Sequence, residues 1–425
     1  MPAEAELSAE GSIGGFASPH AIAAAATATV TANKSAIFFM KKSSSDEPLE
    51  TLSLFAKVHP FASIFCWQNR HPAVGGLTTR FAVATRPRRS LVRPATLPDC
   101  MVRPLSVAVA TCATLPEPDH DEAPLLGALA RAGVLVSLLP WDAPPESPAW
   151  AGLVAGHAPD LVLVRSTWSY AQALSAFLAW LAATEVATTV LNPPAVLRAN
   201  VDKRYLGELA ARGVPIVPTA FVDRGSDASL AEVCAARGFN GEVVVKPRVS
   251  AGSWKTARFA ATERDAGEAA LRALAAERDA MVQPYLRSVE GRGERSIVVL
   301  DGVASHAVRK SPRFSGDDEA VTRVALEDDE RAFAMEVLAA VDALHPGEPL
   351  LYARVDTARD ERGALLLMEL ELVEPSLFFT LAPEALPGFV TAVVREASRA
   401  RDARGLATSS SLGASPAASA GAWPA

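Results

Sequence analysis

Short apolar segments alternate with segments of helical periodicity from about residue 103 onward. The first group contains PLSVAVAT (104–111), VLVSLLPW (134–141) and DLVLVRST (160–167), and between and after them lie DEAPLLGALARAG (121–133) and YAQALSAFLAWLAAT (170–184). Strands that are apolar along their length belong to sheets covered on both faces, and strand–helix–strand alternation joins parallel neighbours. The sequence therefore predicts an α/β lobe with a parallel sheet over about 103–200.

The second half of the chain changes character. An Asp301-Gly302 pair between two apolar runs is typical of a hairpin turn, so RSIVVLDGVASHAVRK (295–310) predicts two antiparallel strands. The other predicted elements are a helix at 200–213, a short strand at 215–222, strands at 242–247 and 279–286, a helix at 264–277, a helix at 328–343, and strands at 351–360 and from 365.

Bulk composition excludes several classes of protein. The formal net charge of -7 argues against a nucleic-acid binder. No apolar run reaches the roughly 18 residues that a membrane span requires. The four cysteines are scattered without a CxxC pair, which argues against a disulfide framework or a zinc site and favours a cytoplasmic setting.

The two ends of the chain differ from the rest. Residues 1–100 are rich in Ala, Thr, Ser, Pro and Arg without sustained periodicity, which leaves a disordered extension, a targeting peptide or translated upstream sequence. Glu4, Glu6 and Glu10 argue against a secretory signal. Because a strand follows Met101 at once, we favour a mis-annotated start; N-terminal sequencing of the native protein tests this. Residues 406–425 are small and polar, and a disordered tail is expected.

Three glutamates interrupt the apolar segment LLLMELELVEPSLFF (365–379). Glu369 and Glu371 are two residues apart, so in a strand they share one face. With Asp356 at the end of a neighbouring strand, they could hold a hard cation; the alternative is a sheet with one solvated face. Glu374 has the opposite parity, and it could be a strand-end residue, a salt-bridge partner or a substrate contact.

Lysines and small residues suggest a site for phosphate. Lys246 ends the apolar run VVVKP, where a lysine needs an anionic partner. Gly252 lies in the small-residue loop RVSAGSWKT, whose backbone N–H groups could bind phosphates, although a hairpin tip looks similar. Lys203 falls on the predicted helix at 200–213, where a solvated lysine is the ordinary reading. His306 has no companion at metal-ligand spacing, which favours a structural or substrate-contacting role over that of a catalytic base.

The order of these motifs resembles the ATP-grasp superfamily. The match runs from about 103 to 400 through Lys203, VVVKP, the small-residue loop, VQPYL, GERS, YARVD and MELELVEP. It is most similar to the glutathione-synthetase and RimK-like carboxylate–amine ligases, in the branch that includes the cycloserine-forming cyclo-ligase. Walker A, GxGxxG, GxSxG and HExxH motifs are all absent from the sequence.

The resemblance implies an ATP-grasp fold and a set of site residues. The fold comprises an N-terminal parallel α/β lobe (101–200), a small central lobe (201–290) and a C-terminal antiparallel-sheet lobe with the metal site (291–405). ATP and Mg²⁺ (or Mn²⁺) are the implied cofactors. The implied metal ligands are Asp356, Glu369 and Glu371; the nucleotide contacts are Lys203, Lys246, Ser250, Gly252, Ser253, Gln283, Tyr285, Leu286 and Glu294; and the catalytic cations are Lys310, Arg323 and Arg354.

The implied reaction is formation of an acyl-phosphate followed by an amide, and the product could be linear or cyclic. The partners are a small-molecule or peptide carboxylate and an amine, with neither nucleic acid nor membrane, and a homodimer is a candidate assembly. An ATP-grasp kinase and a non-catalytic nucleotide-binding protein are the alternatives. Specificity is expected around Asp121, Arg165, Trp168, Tyr170 and His306.

Overall fold

A four-stranded parallel sheet forms the first part of the protein. The computed structural model describes residues 103–144, 147, 158–311 and 320–412, with side chains as far as 405, so the predictions for 1–100 and Met101 lie outside it. The strands are β1 (Ser106–Thr111), β2 (Leu135–Pro140), β3 (Leu161–Ser166) and β4 (Thr189–Leu191), in the order β2-β1-β3-β4. All pairs are parallel, as predicted.

Two helices and a 3-10 turn accompany this sheet, namely α1 (Glu122–Arg131), the turn Trp168–Gln172, and α2 (Leu174–Ala187). Every residue of β3 is buried, as expected of a strand with both faces covered. Where the structure describes the chain, no helix combines the length and apolarity that crossing a bilayer requires.

The predicted helix at 200–213 is two short helices instead, α3 (Pro194–Asn200) and α4 (Tyr205–Ala210). Lys203 lies in the turn between them and is buried, so the prediction of a solvated helical lysine was wrong. The turn is held to a distant segment, because the Lys203 amide donates to the carbonyl of Arg248 at 3.0 Å. A second contact fixes it as well, since Arg248 Nη2 and Asp202 Oδ2 lie 2.6 Å apart.

A four-stranded antiparallel sheet follows. It contains β5 (Ala220–Val222), β6 (Val243–Pro247), β7 (Ala257–Phe259) and β8 (Ala280–Pro284), in the order β5-β8-β6-β7. Helices α5 (Leu230–Arg237) and α6 (Arg264–Glu277) pack against it. Helix α6 matches its predicted bounds and buries Leu271, Leu274 and Ala275, the spacing of one amphipathic face. β5 is shorter than the predicted strand at 215–222.

The third sheet has five antiparallel strands in the order β11-β10-β9-β12-β13. They are β9 (Glu294–Leu300), β10 (Val303–Lys310), β11 (Val321–Val324), β12 (Tyr352–Arg359) and β13 (Leu365–Glu371). Three more helices are described, namely α7 (Ser288–Gly291), α8 (Asp328–Leu344) and α9 (Leu386–Leu412). The remaining described elements are the 3-10 turns Ala261–Glu263 and Pro383–Ala385.

Two sequence expectations have clear outcomes in this part. The hairpin turns at Asp301 and Gly302, whose φ angles are 50° and 76°, the left-handed pair that a tight hairpin requires. Helix α9 continues to Leu412, so the predicted tail at 406–425 is helical at its start. Alanine, leucine and arginine around residue 404 are good helix formers, which explains the extension.

Asn192 joins the first lobe to the third sheet. Its side chain is fully buried, and its amide nitrogen donates to the carbonyls of Tyr352 and Leu372 at 2.9 and 2.7 Å. Its oxygen accepts the amides of Leu351 and Tyr352 at 2.8 and 3.3 Å. This one side chain therefore satisfies backbone groups at the start of β12 and just after β13.

Replacing Asn192 with alanine should lower the free energy of unfolding by about 3 kcal/mol or more, because buried donors and acceptors would lose their partners. Urea denaturation followed by circular dichroism measures this. Asn240→Ala removes an exposed asparagine and serves as the control. Equal stability of the two variants would contradict the role given to Asn192.

Candidate active site

A cavity of about 360 Å³ is lined by residues of the three sheets and of the loops and turns next to them. The first lobe provides Pro116, Trp168 and Gln172. The second sheet and its loops provide Val244, Lys246, Ser250, Ala251, Gly252, Ser253, Trp254, Thr256, Gln283, Pro284, Tyr285 and Leu286, and the third sheet and its extensions provide Glu294, Lys310, Arg354, Asp356, Met368, Glu369, Glu371, Glu374, Ser376 and Phe378. Its volume suits a ligand of nucleotide size or smaller.

The loop 250–256 forms one wall. Gly252, Ser253 and Lys255 have left-handed φ angles of 57°, 58° and 55°, and residues of this conformation in a turn can direct backbone N–H groups toward an anion. Sequence reasoning missed Trp254, which lines the cavity while Arg278 and Lys255 lie 4.5 and 5.2 Å from its ring centre. A tryptophan in a small-residue loop was the available signal.

The end of β8 and the residues that follow it form a second wall of the cavity. Gln283 is buried, and its amide donates to the hydroxyl of Thr219 at 2.9 Å. The guanidinium of Arg258 lies 3.6 Å from the centre of the Tyr285 ring. Met368 and Val244 also line this part of the cavity. A flat, apolar ring could lie here, with backbone groups at its edge.

Two lysines from distant elements meet one glutamate. Lys203 Nζ lies 3.0 Å from Glu369 Oε1 and also donates to the carbonyl of Ser250 at 2.7 Å. Lys246 Nζ, from β6, lies 3.9 Å from Glu369 Oε2. Burial raises the pKa of Glu369, but the charges of Lys203 and Lys246 outweigh it and hold the pKa below its usual value. Burial lowers the pKa of Lys246.

A second ion cluster lies on the neighbouring strands. Lys310 Nζ contacts Asp356 Oδ2 at 2.9 Å and also pairs with Glu294, its cross-strand neighbour. Arg354 donates to Asp356 at 2.9 and 2.8 Å and pairs with Glu371. Burial opposes ionisation of Asp356, but Arg354 and Lys310 hold its pKa well below the usual range.

The pKa values of Glu294 and Glu371 shift in the opposite direction, upward. Burial, with the nearby charge of Asp356, raises the pKa of each to about 7 despite their cationic neighbours. The resemblance implied that Glu294 contacts the nucleotide, and the structure places it in the ion cluster beside Lys310. Asp356 faces Glu369 across the β12–β13 register. Within the described residues, no group of three or more His, Cys, Asp or Glu side chains is placed to hold a metal ion.

Arg323 is the predicted catalytic cation that does not line the cavity. Its side chain is exposed, pairs with Glu384 and donates to the carbonyl of Leu381 at 3.2 Å. Its catalytic role stays a prediction. The other predicted site residues line the cavity, apart from Lys203, which reaches it through Glu369.

Comparisons with known proteins identify the family of this chain. The family described as "D-cycloserine synthetase DcsG, N-terminal domain" matches residues 107–192. The cycloserine biosynthesis protein DcsG of Streptomyces lavendulae is 34% identical over 289 residues, which cover 65% of this chain and 93% of that protein. This chain belongs to the DcsG family.

Solved structures extend this result. The crystal structure of D-cycloserine synthetase DcsG shares 32% identity, with a TM-score of 0.62, over 69% of this chain and 99% of that one. A D-alanine–D-alanine ligase from Bacillus anthracis, 13% identical with a TM-score of 0.51, covers 71% of this chain and 99% of its own and shares the fold alone. The DcsG-family chain is an ATP-grasp protein and an ATP-dependent carboxylate–amine ligase, as the sequence predicted.

The segment 374–379 of this DcsG-family protein is fixed by residues of the first lobe. The carboxylate of Asp121 accepts the amides of Leu377, Phe378 and Phe379 at 2.6 to 2.9 Å. Arg165 Nη2 donates to the carbonyl of Pro375 at 2.5 Å. Asp121 and Arg165 are buried and do not line the cavity. They affect the shape of the cavity by holding the backbone of residues 375–379 in place.

The same segment has further contacts. Trp168 lines the cavity, and its indole N–H donates to the carbonyl of Glu374 at 3.0 Å. His306 Nε2 lies 2.9 Å from the carbonyl oxygen of Leu377. Burial lowers the pKa of His306, which favours the neutral ring. The contact with Leu377 is a structural role, one of the two roles expected for this histidine.

Glu374 should make the ligand-free protein less stable as pH rises. Burial raises its pKa to about 8 in the folded state, against about 4.3 for an ordinary glutamate. Because only the unfolded chain releases this proton between those values, the free energy of unfolding falls across that window and levels off above it.

Replacing Glu374 with glutamine removes this dependence. The melting temperature of Glu374→Gln relative to the unaltered protein should therefore increase from pH 5 to pH 8.5, measured by differential scanning calorimetry without ligands. Glu361→Gln, at an exposed position, is the control. A difference that does not vary with pH would contradict the raised pKa.

Proposed function

We propose that this ligase uses Mg²⁺ and ATP to activate a carboxylate and then joins it to a nitrogen of the same molecule, closing a small ring. The observation that carries the proposal is the pair of ion clusters around Glu369 and Asp356, which present cations and carboxylates together at one cavity wall. The relative named as a D-cycloserine synthetase supports a cyclic product of that kind.

The acids of the cavity suit a divalent cation. Asp356 and Glu369 oppose each other in register, and Glu371 lies on the same face of β13. Opposed carboxylates repel unless a cation lies close, and oxygen ligands of this type are those that Mg²⁺ prefers. We infer that these three residues would hold the metal ion, which would supply neutralisation of charge at the phosphates.

The four cations would take the phosphates as partners. Lys203 and Lys246 are released from Glu369 if a metal ion takes that carboxylate, and Lys310 and Arg354 are likewise released from Asp356. Exchange of partners leaves each buried charge compensated, which is the condition for charges in an apolar site. We assign the first two lysines to the phosphates of ATP, and Lys310 and Arg354 to the group in transfer.

The remaining walls position ATP and exclude water. We assign Gln283, Tyr285 and Leu286 to the adenine, and Ser250, Gly252 and Ser253 to the phosphates through their backbone N–H groups. Glu294, which pairs with Lys310, orients that lysine toward the phosphoryl group. Phosphoryl transfer depends on positioning and charge neutralisation, and these residues provide both without a protein nucleophile.

The reaction follows in two steps. A carboxylate oxygen of the substrate attacks the terminal phosphorus of ATP, and ADP leaves. A nitrogen of the substrate then attacks the acyl carbon, phosphate leaves, and the nitrogen loses a proton as the amide forms. Lys310 and Arg354 neutralise the charge on the phosphate as it departs.

Hydroxylamine should trap the acyl-phosphate. Protein, ATP and Mg²⁺ with a carboxylate substrate should yield a hydroxamate, detected by mass spectrometry, in an amount that depends on all components. A kinase acting on a hydroxyl group would release ADP without forming a hydroxamate, and a non-catalytic binding protein would release no ADP, so either result would contradict the proposal.

Glu369→Gln should reduce ADP release by about 100-fold or more, because the amide cannot replace the charge of a metal ligand. It should also weaken Mn²⁺ binding in the presence of ADP, measured by electron paramagnetic resonance. Glu361→Gln, at an exposed position, is the control. Unchanged Mn²⁺ affinity in Glu369→Gln would contradict the metal assignment.

A further inference from the structure

Gln283 presents a side-chain amide to the wall of the cavity that we assign to the adenine. It lies on β8, lines the cavity and is only 6% exposed. The oxygen of such an amide accepts hydrogen bonds and its nitrogen donates them, and the two exchange places when the group rotates by half a turn. Which of them meets a ligand therefore depends on the groups that hold the amide.

Thr219 decides the orientation of this amide. The Gln283 amide nitrogen lies 2.9 Å from the Thr219 hydroxyl oxygen, and the same hydroxyl lies 2.8 Å from the carbonyl oxygen of Val217. A carbonyl oxygen can only accept, so the single proton of the hydroxyl is donated to Val217. The Thr219 oxygen must therefore accept a hydrogen bond from Gln283, and only the amide nitrogen can donate one.

The backbone around this hydrogen-bonded chain is fixed. Thr219 is buried and precedes β5, which pairs with β8 in antiparallel register. Val217 is buried too, and its amide donates to the carbonyl of Leu367 on β13 at 3.0 Å. The amide of Leu367 donates in turn to the carbonyl of Pro215 at 2.8 Å. The carbonyl that receives the Thr219 proton thus has a fixed position, which side chains that orient a binding group require.

The amide oxygen of Gln283 is left for a ligand. Within the described residues it accepts no hydrogen bond, and the nitrogen is turned toward Thr219. Because Gln283 lines the cavity, its oxygen is the end of the amide that a bound base would meet. The 6-amino group of adenine donates hydrogen bonds, whereas the 6-oxo group of guanine or hypoxanthine accepts them. A fixed acceptor therefore suits adenine.

We propose that Thr219 is a positioning residue that selects adenine nucleotides, because it holds the Gln283 amide with its oxygen toward the 6-amino group of the base. This inference rests on the function proposed above and names the residue that sets the choice of base. A 6-oxo base would place two acceptors against each other at a buried position, where neither would have a donor.

Two nucleotides separate the base from the rest of the ligand. ADP and inosine 5′-diphosphate (IDP) share the ribose and the diphosphate, but the hypoxanthine of IDP has a 6-oxo group and a proton on N1. The affinity of the full chain for each, with Mg²⁺ present, is measured by isothermal titration calorimetry. The measurement needs no knowledge of the acid that the ligase activates.

The unaltered protein should bind ADP about tenfold or more tightly than IDP. Thr219→Val keeps the shape of the side chain but removes the hydroxyl, so the Gln283 amide can rotate and offer its nitrogen to the 6-oxo group. The variant should bind ADP more weakly and IDP more tightly, and the ratio of the two affinities should fall about tenfold. General damage to this wall would weaken both nucleotides alike.

Two further variants are controls. Thr219→Ser keeps the hydroxyl and should keep the preference for ADP. Thr184→Val removes another buried hydroxyl, which donates to the carbonyl of Trp180 within α2, and should keep the preference as well. Circular dichroism and the melting temperature verify that each variant is folded.

Other outcomes overturn the assignment. Equal affinity for ADP and IDP in the unaltered protein would exclude a fixed acceptor at Gln283, while ADP binding would leave the ligase assignment intact. An unchanged ratio in Thr219→Val, an equal loss of both affinities, or the same fall in Thr219→Ser or Thr184→Val would exclude the Thr219 hydroxyl as the cause. If neither nucleotide binds to the unaltered protein, the ATP site of the proposed function is wrong as well.

Discussion

The contact of Glu369 with Lys203 and Lys246 is the interaction on which the arrangement of the site depends. It joins a turn between two short helices, a strand of the second sheet and a strand of the third. Removal of one partner from a buried ion pair typically destabilises a protein by about 3–5 kcal/mol, because the remaining charge loses its compensation. The contact therefore ties the walls of the cavity together as well as setting its charge.

The need to compensate buried charges also explains the second ion cluster, around Asp356. Lys310 lies on β10, and Arg354 and Asp356 lie on β12, with β9 between these two strands. The three side chains are buried together. Such pairs are weak sources of stability compared with apolar packing. Their presence at a cavity wall is better explained by ligand binding, since opposite charges that already lie in place can each exchange a protein partner for a phosphate or a metal ion without being left uncompensated.

The first lobe influences the cavity mainly through a backbone segment. Asp121 and Arg165 do not line the cavity, yet they hold residues 375–379, while Trp168 both lines it and anchors the carbonyl of Glu374. Changes in this lobe can therefore alter the wall at residues 374–379 directly, through the contacts with its backbone.

What the sequence by itself determined was local. The bounds of the helix at Arg264–Glu277, the hairpin at Asp301 and Gly302, and the shared face of Glu369 and Glu371 follow from periodicity and turn chemistry within a few residues. The family resemblance added the order of the lysines and acids, because motif order survives where overall identity is low. The fold and the class of reaction were therefore accessible before the structure.

Only the tertiary structure decided which of these residues meet. Several features of the site depend on contacts between distant segments. They are the burial of Lys203, the burial of Glu374 at the cavity, the outward position of Arg323 and the place of Trp254 in the cavity wall. Local spacing contains no information about such contacts, since the same short pattern can face solvent or a neighbouring lobe. Glu374 shows this most clearly: its parity set it apart from Glu369 and Glu371, and only packing revealed that it faces the same cavity.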